Sequence, residues 1–421
     1  MATVTGGGIT TTLNVGTNDA NGVAQALADR ISAALAAGTL TRTNGGNPPT
    51  GAGLLTISTP GVLVADQPAV SSDLIAGGTG SVSVVGAGGP NQFVLGDQEN
   101  ITFFTNGGSG TLVFGDGNDI VGTPTIGGGA FNIATGAGND TIDAYSGNNT
   151  ISAGTGANVI NTGLTGTFSN NLIFANGTGV GDRIISTGGS GTDTVIGNNG
   201  PVFINEATKN LVFNGQGGNG SVTVAGGAGS ATVFAGPGGG SIAGGTAGNN
   251  VLLGGTGSAP TTLFGGGNND LLIARGTGAT FLIAGAGNET LSGAGSTANN
   301  IFAAGNGGNT TIGGGVGNDV IYIGNPGTTT PISGSVVVDG GLGNDIISFT
   351  NRGTGGSTES VLINNFRNNA SESDRVQLIG FGTNQQSAIT SAAASAGSVT
   401  LTDGTRINFG TAVALNSSNF A

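Results

Sequence analysis

Residues 115–122 read GDGNDIVG, and the phrase returns with small changes at 136–142 (GAGNDTI), 189–195 (GSGTDTV), 315–321 (GVGNDVI) and 341–347 (GLGNDII). Two glycines stand one residue apart, an aspartate follows, and an apolar β-branched residue lies two places after it. The glycines permit the left-handed backbone of a tight corner, and their missing side chains let one corner stack closely on the next. The apolar residue (Val121, Ile142, Val195, Ile321 or Ile347) suits a short strand and points into a coil. Each aspartate then sits where turn carbonyls of stacked coils converge. A carboxylate with backbone carbonyls is a set of hard oxygen ligands, which suits Ca²⁺. The candidate metal-binding positions are therefore Gly115, Asp116, Gly117, Asp119, Gly136, Gly138, Asp140, Asp193, Asp319 and Asp345.

The same rhythm, with weaker punctuation, fills residues 75–349. Segments such as SVSVVGAGG, TLVFGDGND, NNVLLGGTG and TFLIAGAGNETLSG each pair a short alternating apolar run with a glycine-rich turn. Three or four apolar residues are too few for a helix and suit a strand. One unit cannot bury its apolar face alone, but stacked copies can. The pattern predicts an all-β fold: a parallel β-roll or β-solenoid with two units per turn. Residues 67–359 form this solenoid, flanked by a small α/β module at 1–66 and a closing segment at 360–421.

Composition narrows the chemistry. Glycine supplies 89 of 421 residues, and its periodic placement separates this chain from a disordered glycine-rich one. There is no Cys and no His, which removes disulfides, Cys/His zinc sites and every catalytic scheme that needs an imidazole or thiol. The net charge of −13 disfavours nucleic acid and favours hard cations. No run of 18 apolar residues is present, so no membrane-spanning helix is expected. The first fifteen residues, MATVTGGGITTTLNV, lack a basic and then an apolar region. The expectation is that the protein either stays in the cytosol or leaves by a route without an N-terminal signal.

In the first module, Asn18 or Asp19 can cap a helix over 20–37, in which Val23, Leu27, Ile31 and Leu35 form one apolar stripe. Strands are expected at 9–15 and 54–59. The module is either a cap on the solenoid or an assembly device, and the stripe is the expected contact surface for a neighbouring molecule.

The repeat resembles the glycine-rich nonapeptide of the RTX, or hemolysin-type, calcium-binding proteins, GGxGxDxUx with U a large apolar residue. The resemblance implies calcium held by aspartates from successive turns on one side of the coil. Asp119 with Asp140, and Asp319 with Asp345, come nearest to the required spacing. Departures are frequent: Asn158, Asn250, Asn269 and Asn309 take the aspartate position, Glu289 takes it once, and Asp270 falls one place late. Few strong sites are expected, with stacked Asn side chains bonding along the axis elsewhere. Residues 360–381, SVLINNFRNNASESDRVQLIGF, resemble the segment closing the β-roll in serralysin-type, type I-secreted proteins. Phe366, Asp374, Val376, Leu378 and Phe381 carry that likeness, while Asn364 stands where aspartate is commoner. A hairpin at Asp403–Gly404 follows. The implication is a C-terminal secretion signal.

No segment reads as a catalytic domain, so the chain is not expected to be an enzyme. The expected function is a secreted structural protein, extracellular or at the cell surface. It would self-assemble into a filament, S-layer or matrix through open strand edges, with calcium stabilising the roll. The alternative is a monomeric calcium-dependent adhesin or binding module. The expected partners are further copies of the chain and a cell-surface polysaccharide.

Overall fold

Ile142 pairs in register with Val121 on one side and Ile160 on the other, and all three are fully buried. That column extends from Phe103 through Val121, Ile142, Ile160 and Ile184 to Ile204, one apolar side chain per coil. An opposing column runs Val94, Leu112, Ile133, Ile151, Ile173 and Val195. The alternation predicted from sequence thus becomes two parallel sheets whose inner faces share one core. Burying each such side chain contributes about 1.5–3 kcal/mol, which a lone unit could not gain. Val121, Ile142, Val195, Ile321 and Ile347 all point inward as expected.

The computed structural model describes residues 2–6, 8–13, 23–39, 41–44, 53–57, 63–65, 70–75, 81–86, 92–96, 100–105, 107–123, 128–177, 179–324, 331–353 and 355–420. The expected helix caps Asn18 and Asp19 lie outside them. Strands make up 49% and helices 8%: the chain is mostly β, a parallel β-solenoid with a small N-terminal α/β region. It divides into two compact units, Met1–Val212 and Phe213–Ala421.

In the first unit, strands Ala2–Gly6 and Ile9–Leu13 form an antiparallel hairpin on which helix α1, Val23–Ala36, packs. Leu27 and Ile31 are buried with Val4 and Leu13 of the hairpin and with Leu95 and Val113 of the solenoid. Leu27 and Ile31 of the expected contact surface are therefore covered by the chain itself, and Leu35 is half-buried against the same cluster; the Val23 side chain lies outside the described ones. The correction has a simple cause: the solenoid's own strands offer an apolar face at the right place. Parallel pairing already begins with Thr41–Asn44 against Gly53–Ile57.

The second unit repeats the scheme. One column runs Val224, Ile242, Leu263, Leu282, Phe302, Ile321, Ile347 and Val376. Its C-terminal part adds helix α2, Asn384–Ala394, which the sequence reading did not anticipate. Strands Ser398–Thr400 and Arg406–Phe409 then pair antiparallel, placing the expected hairpin turn at Asp403–Gly404. Phe366 is buried edge-on against Phe409, with ring centroids 6.3 Å apart.

Candidate metal centre

The aspartate that ends each corner turns its carboxylate along the solenoid axis rather than outward. In the first unit the Ile101 N–H donates to Asp119 Oδ1 at 2.8 Å, and the Asp119 N–H donates to Asp140 Oδ1 at 2.8 Å. The Asp140 N–H donates to Asn158 Oδ1 at 2.9 Å, and the Asn158 amide donates to Asp182 Oδ1. In the second unit the Asn300, Asp319 and Asp345 N–H groups donate to Asp319, Asp345 and Asp374 Oδ1 at 2.6, 2.9 and 3.0 Å. Each carboxylate so satisfies a buried backbone donor that the corner leaves without a sheet partner.

One residue earlier, an outer ladder runs the other way. Asn118 Oδ1 accepts from the Asn139 N–H, and Asn318 Oδ1 accepts from the Asn344 N–H, both at 2.8 Å. The expected axial stacking of Asn is present at these outer positions as well as at Asn158 and Asn250. The two ladders fix both Asx residues of the Asn-Asp pair, which explains why the motif carries two.

The inner ladder uses only one oxygen of each carboxylate. Oδ2 of Asp119, Asp140, Asp319 and Asp345 is buried with no hydrogen-bond partner. Such a group costs free energy unless it is neutralised by a proton or a cation. Burial pushes Asp119 up to about 8; the Ile101 N–H pulls against the rise, and the charges of Asp140 and Asp116 add to it. Asp140 and Asp319 rise to about 6, and Asp345 to about 7, with burial again the main cause. The ladders end where the second oxygen finds a donor. Asp182 Oδ2 accepts from the Gly177 N–H at 2.8 Å, and Asp374 Oδ2 accepts from the Arg367 N–H at 2.7 Å.

Space is built in beside these oxygens. A Cβ at Gly314 would lie 2.7 Å from Asp319 Oδ2, and one at Gly340 would collide with Asp345 Oδ2. Unpartnered carboxylate oxygens, glycine-made room and nearby carbonyls fit a hard divalent cation. Among the described residues no three acidic groups converge on one point. A bound ion would therefore take carboxylates in pairs and complete its shell from carbonyls or water.

The structure thus brings together the pairs Asp119–Asp140 and Asp319–Asp345 expected from spacing. Gly115 and Gly117 line the corner on which the next one stacks: the Gly136 N–H donates to Gly115 O at 3.1 Å, and a Cβ on Gly138 would fall on Gly117 O. Asp116 Oδ1 accepts from the Ala137 N–H at 2.9 Å, an outer role. Asp193 stands apart on the other edge, in register with Asn171, and forms a buried ion pair with Lys209. There the Lys209 ammonium meets Oδ1, while Asp193 Oδ2 is buried without a hydrogen-bond partner.

Three positions depart from the sequence reading. Asp270 lies in register, not one place late: its Oδ1 accepts from the Asn250 N–H at 2.8 Å, and its N–H donates to Glu289 Oε2 at 3.0 Å. Asn269 adopts a left-handed φ of 59°, which absorbs the extra residue within the turn. Asn309 sits outside the inner ladder, where Thr310 pairs with Glu289 instead. Asp270 Oδ2 and Glu289 Oε1 are also unpartnered, which makes a third carboxylate pair that nonapeptide spacing did not reveal.

The family described as RTX calcium-binding nonapeptide repeat (4 copies) matches residues 127–160, 187–205 and 333–349. These segments hold Asp140, Asp193 and Asp345. No curated protein and no solved structure matches the chain. Over these segments the chain is similar to RTX calcium-binding repeats, and it folds as a β-solenoid.

Proposed function

We propose that this is an extracellular, non-enzymatic scaffold that calcium locks and that assembles with further copies of itself. The observation that carries the calcium part is the row of buried carboxylates with one oxygen each left unpartnered. When bound, calcium supplies the positive charge these pairs lack. The chain's own residues fix where it would sit: the inner ladder holds Oδ1 of Asp140 and Asp345, and Oδ2 of Asp319 and of Asp345 each lies beside a glycine that leaves no Cβ in the way.

Self-association draws support from the surface. Val316 and Leu342, at the tips of the corners that carry Asp319 and Asp345, are 48% and 49% exposed and bridge each other in register. Phe104, Phe168 and Phe203 are exposed in the first unit. Apolar corners on a weakly charged surface favour lateral contacts between copies, in a filament, an S-layer or a matrix. A C-terminal export signal within 360–421 completes the proposal. Electron microscopy of the purified chain in calcium tests it: ordered filaments or sheets are expected, and dispersed rods would favour the monomeric adhesin that binds a cell-surface polysaccharide.

A further inference from the structure

The chain contains one lysine, Lys209, and that lysine is buried. Its stem lies inside the first unit, and Nζ meets Asp193 Oδ1, Ser169 Oγ at 2.9 Å and the Thr162 carbonyl at 3.2 Å. The side chains of Lys209 and Asp193 are both 0% exposed. Asn171 Nδ2 donates to the same Asp193 oxygen at 3.0 Å. Glu206, 1% exposed, turns its carboxyl towards Asp193 and Ser186. Burial, followed by the Asp193 charge, raises Glu206 above the usual carboxylate range, while the Lys209 charge and Ser186 pull against the rise. A solenoid that needed only to fill its core would use apolar residues here, since a buried ion pair stabilises little beyond its own desolvation cost.

We propose that Lys209 and Asp193 condense to an intramolecular isopeptide bond, with Glu206 as the proton-transferring acid. A proton passes from Nζ to the Asp193 carboxylate, leaving a neutral amine against a carboxylic acid. Nζ attacks Cγ of Asp193, and Glu206 protonates the departing oxygen and recovers its proton from the nitrogen. One C–N bond forms and one C–O bond breaks. The two hydrogens lost by Nζ leave with one Asp193 oxygen as water, and the ion pair becomes a neutral amide. No oxidant, metal or cofactor enters the balance. Holding both groups in contact supplies the effective concentration that an intermolecular amidation lacks, and water-poor surroundings disfavour the reverse hydrolysis.

The bond would span one coil. Asp193 lies in strand Thr192–Gly197, Lys209 immediately precedes strand Asn210–Asn214, and Glu206 ends the strand between them. It would give a chain without cysteine a covalent brace of its own, at a buried ion pair.

Mass spectrometry of the full, soluble, β-rich chain under denaturing conditions tests the proposal. The wild type is expected to weigh one water less than its sequence. Trypsin should leave 184–275 uncut at Lys209, and fragmentation should place the link at Asp193. Lys209→Arg should restore the full mass and cleavage at 209, and Glu206→Gln should carry the full mass with Lys209 cleavable. A wild type at full mass, cut at Lys209 and labelled there by an amine reagent after denaturation, would overturn the bond and leave an ion pair only. Loss of water with Lys209 still cleavable would place the loss elsewhere and equally overturn it. A bond that persists in Glu206→Gln would overturn the role of Glu206.

Discussion

The Asp319 N–H donates to Asp345 Oδ1 at 2.9 Å, from one coil to the next, while Asp345 Oδ2 faces a space that only glycine leaves open. The same carboxylate is thus a structural acceptor on one side and an uncompensated charge on the other. The two roles are separable by substitution.

Asp345→Asn keeps the Oδ1 acceptor and removes the charge. The metal-free variant should melt no lower than the wild type at pH 8, and its calcium-dependent rise should shrink. Asp345→Ala removes the acceptor as well and should cost about 1–3 kcal/mol with or without calcium. Calorimetry of the three proteins, with calcium and with chelator, checks both expectations. Equal calcium responses in wild type and Asp345→Asn would separate this carboxylate from the metal.

Stability without metal should fall as pH rises. The carboxyl groups of Asp119, Asp140, Asp319 and Asp345 have folded values of about 8, 6, 6 and 7, raised above the 3.8 of an unburied aspartate. The folded state therefore binds more protons than the unfolded state between about pH 4 and pH 8, and stability declines through that window. Calcium replaces those protons, so its stabilising effect should grow from pH 5 to pH 8. A metal-free melting temperature that is flat or rising over that range would contradict the buried-carboxylate account.

Gly343 has a φ of +127°, and a Cβ there would collide with the Gly317 carbonyl of the preceding coil. Gly343→Ala should cost about 1–3 kcal/mol through backbone strain and the forced separation of two coils. Urea titration reads the loss directly, and an unchanged midpoint would show that the corner can open without cost.

Leu27 and Ile31 bury α1 against the hairpin and the solenoid, so Leu27→Ala should loosen the N-terminal module by about 2–5 kcal/mol. Limited proteolysis should then cut within 1–39 earlier than in the wild type, and filament formation should persist. Loss of filaments with the module still protected would return the helix stripe to an assembly role.

The fold was legible because a period of glycine, aspartate and β-branched residue admits few geometries, and Val121, Ile142, Ile321 and Ile347 obey it. Asp119, Asp140, Asp319 and Asp345 were legible for the same reason. Asp182 was not, because an insertion carries it 24 residues beyond Asn158, and Asp374 was read only as part of the closing segment, because it lies 29 residues beyond Asp345, outside nonapeptide spacing. Asp270 was misplaced because a left-handed Asn269 hides one residue inside the turn. Helix α2 escaped because, in NQQSAITSAAA, Ile389 is the one large apolar residue and leaves no stripe to count. Lys209 and Glu206 carry no motif; only folding brings them to Asp193.

The most direct test of the central claim is a thermal melt at pH 8 in millimolar calcium and in chelator, on the wild type and on the variant Asp119→Asn, Asp140→Asn, Asp319→Asn, Asp345→Asn. A hundredfold excess of calcium over Kd adds about 2.7 kcal/mol per site bound only in the folded state. The account predicts a clear calcium-dependent rise for the wild type and a much smaller one for the variant, with Asp270 and Glu289 as its remaining pair. A wild type that melts at the same temperature in calcium and in chelator would contradict it.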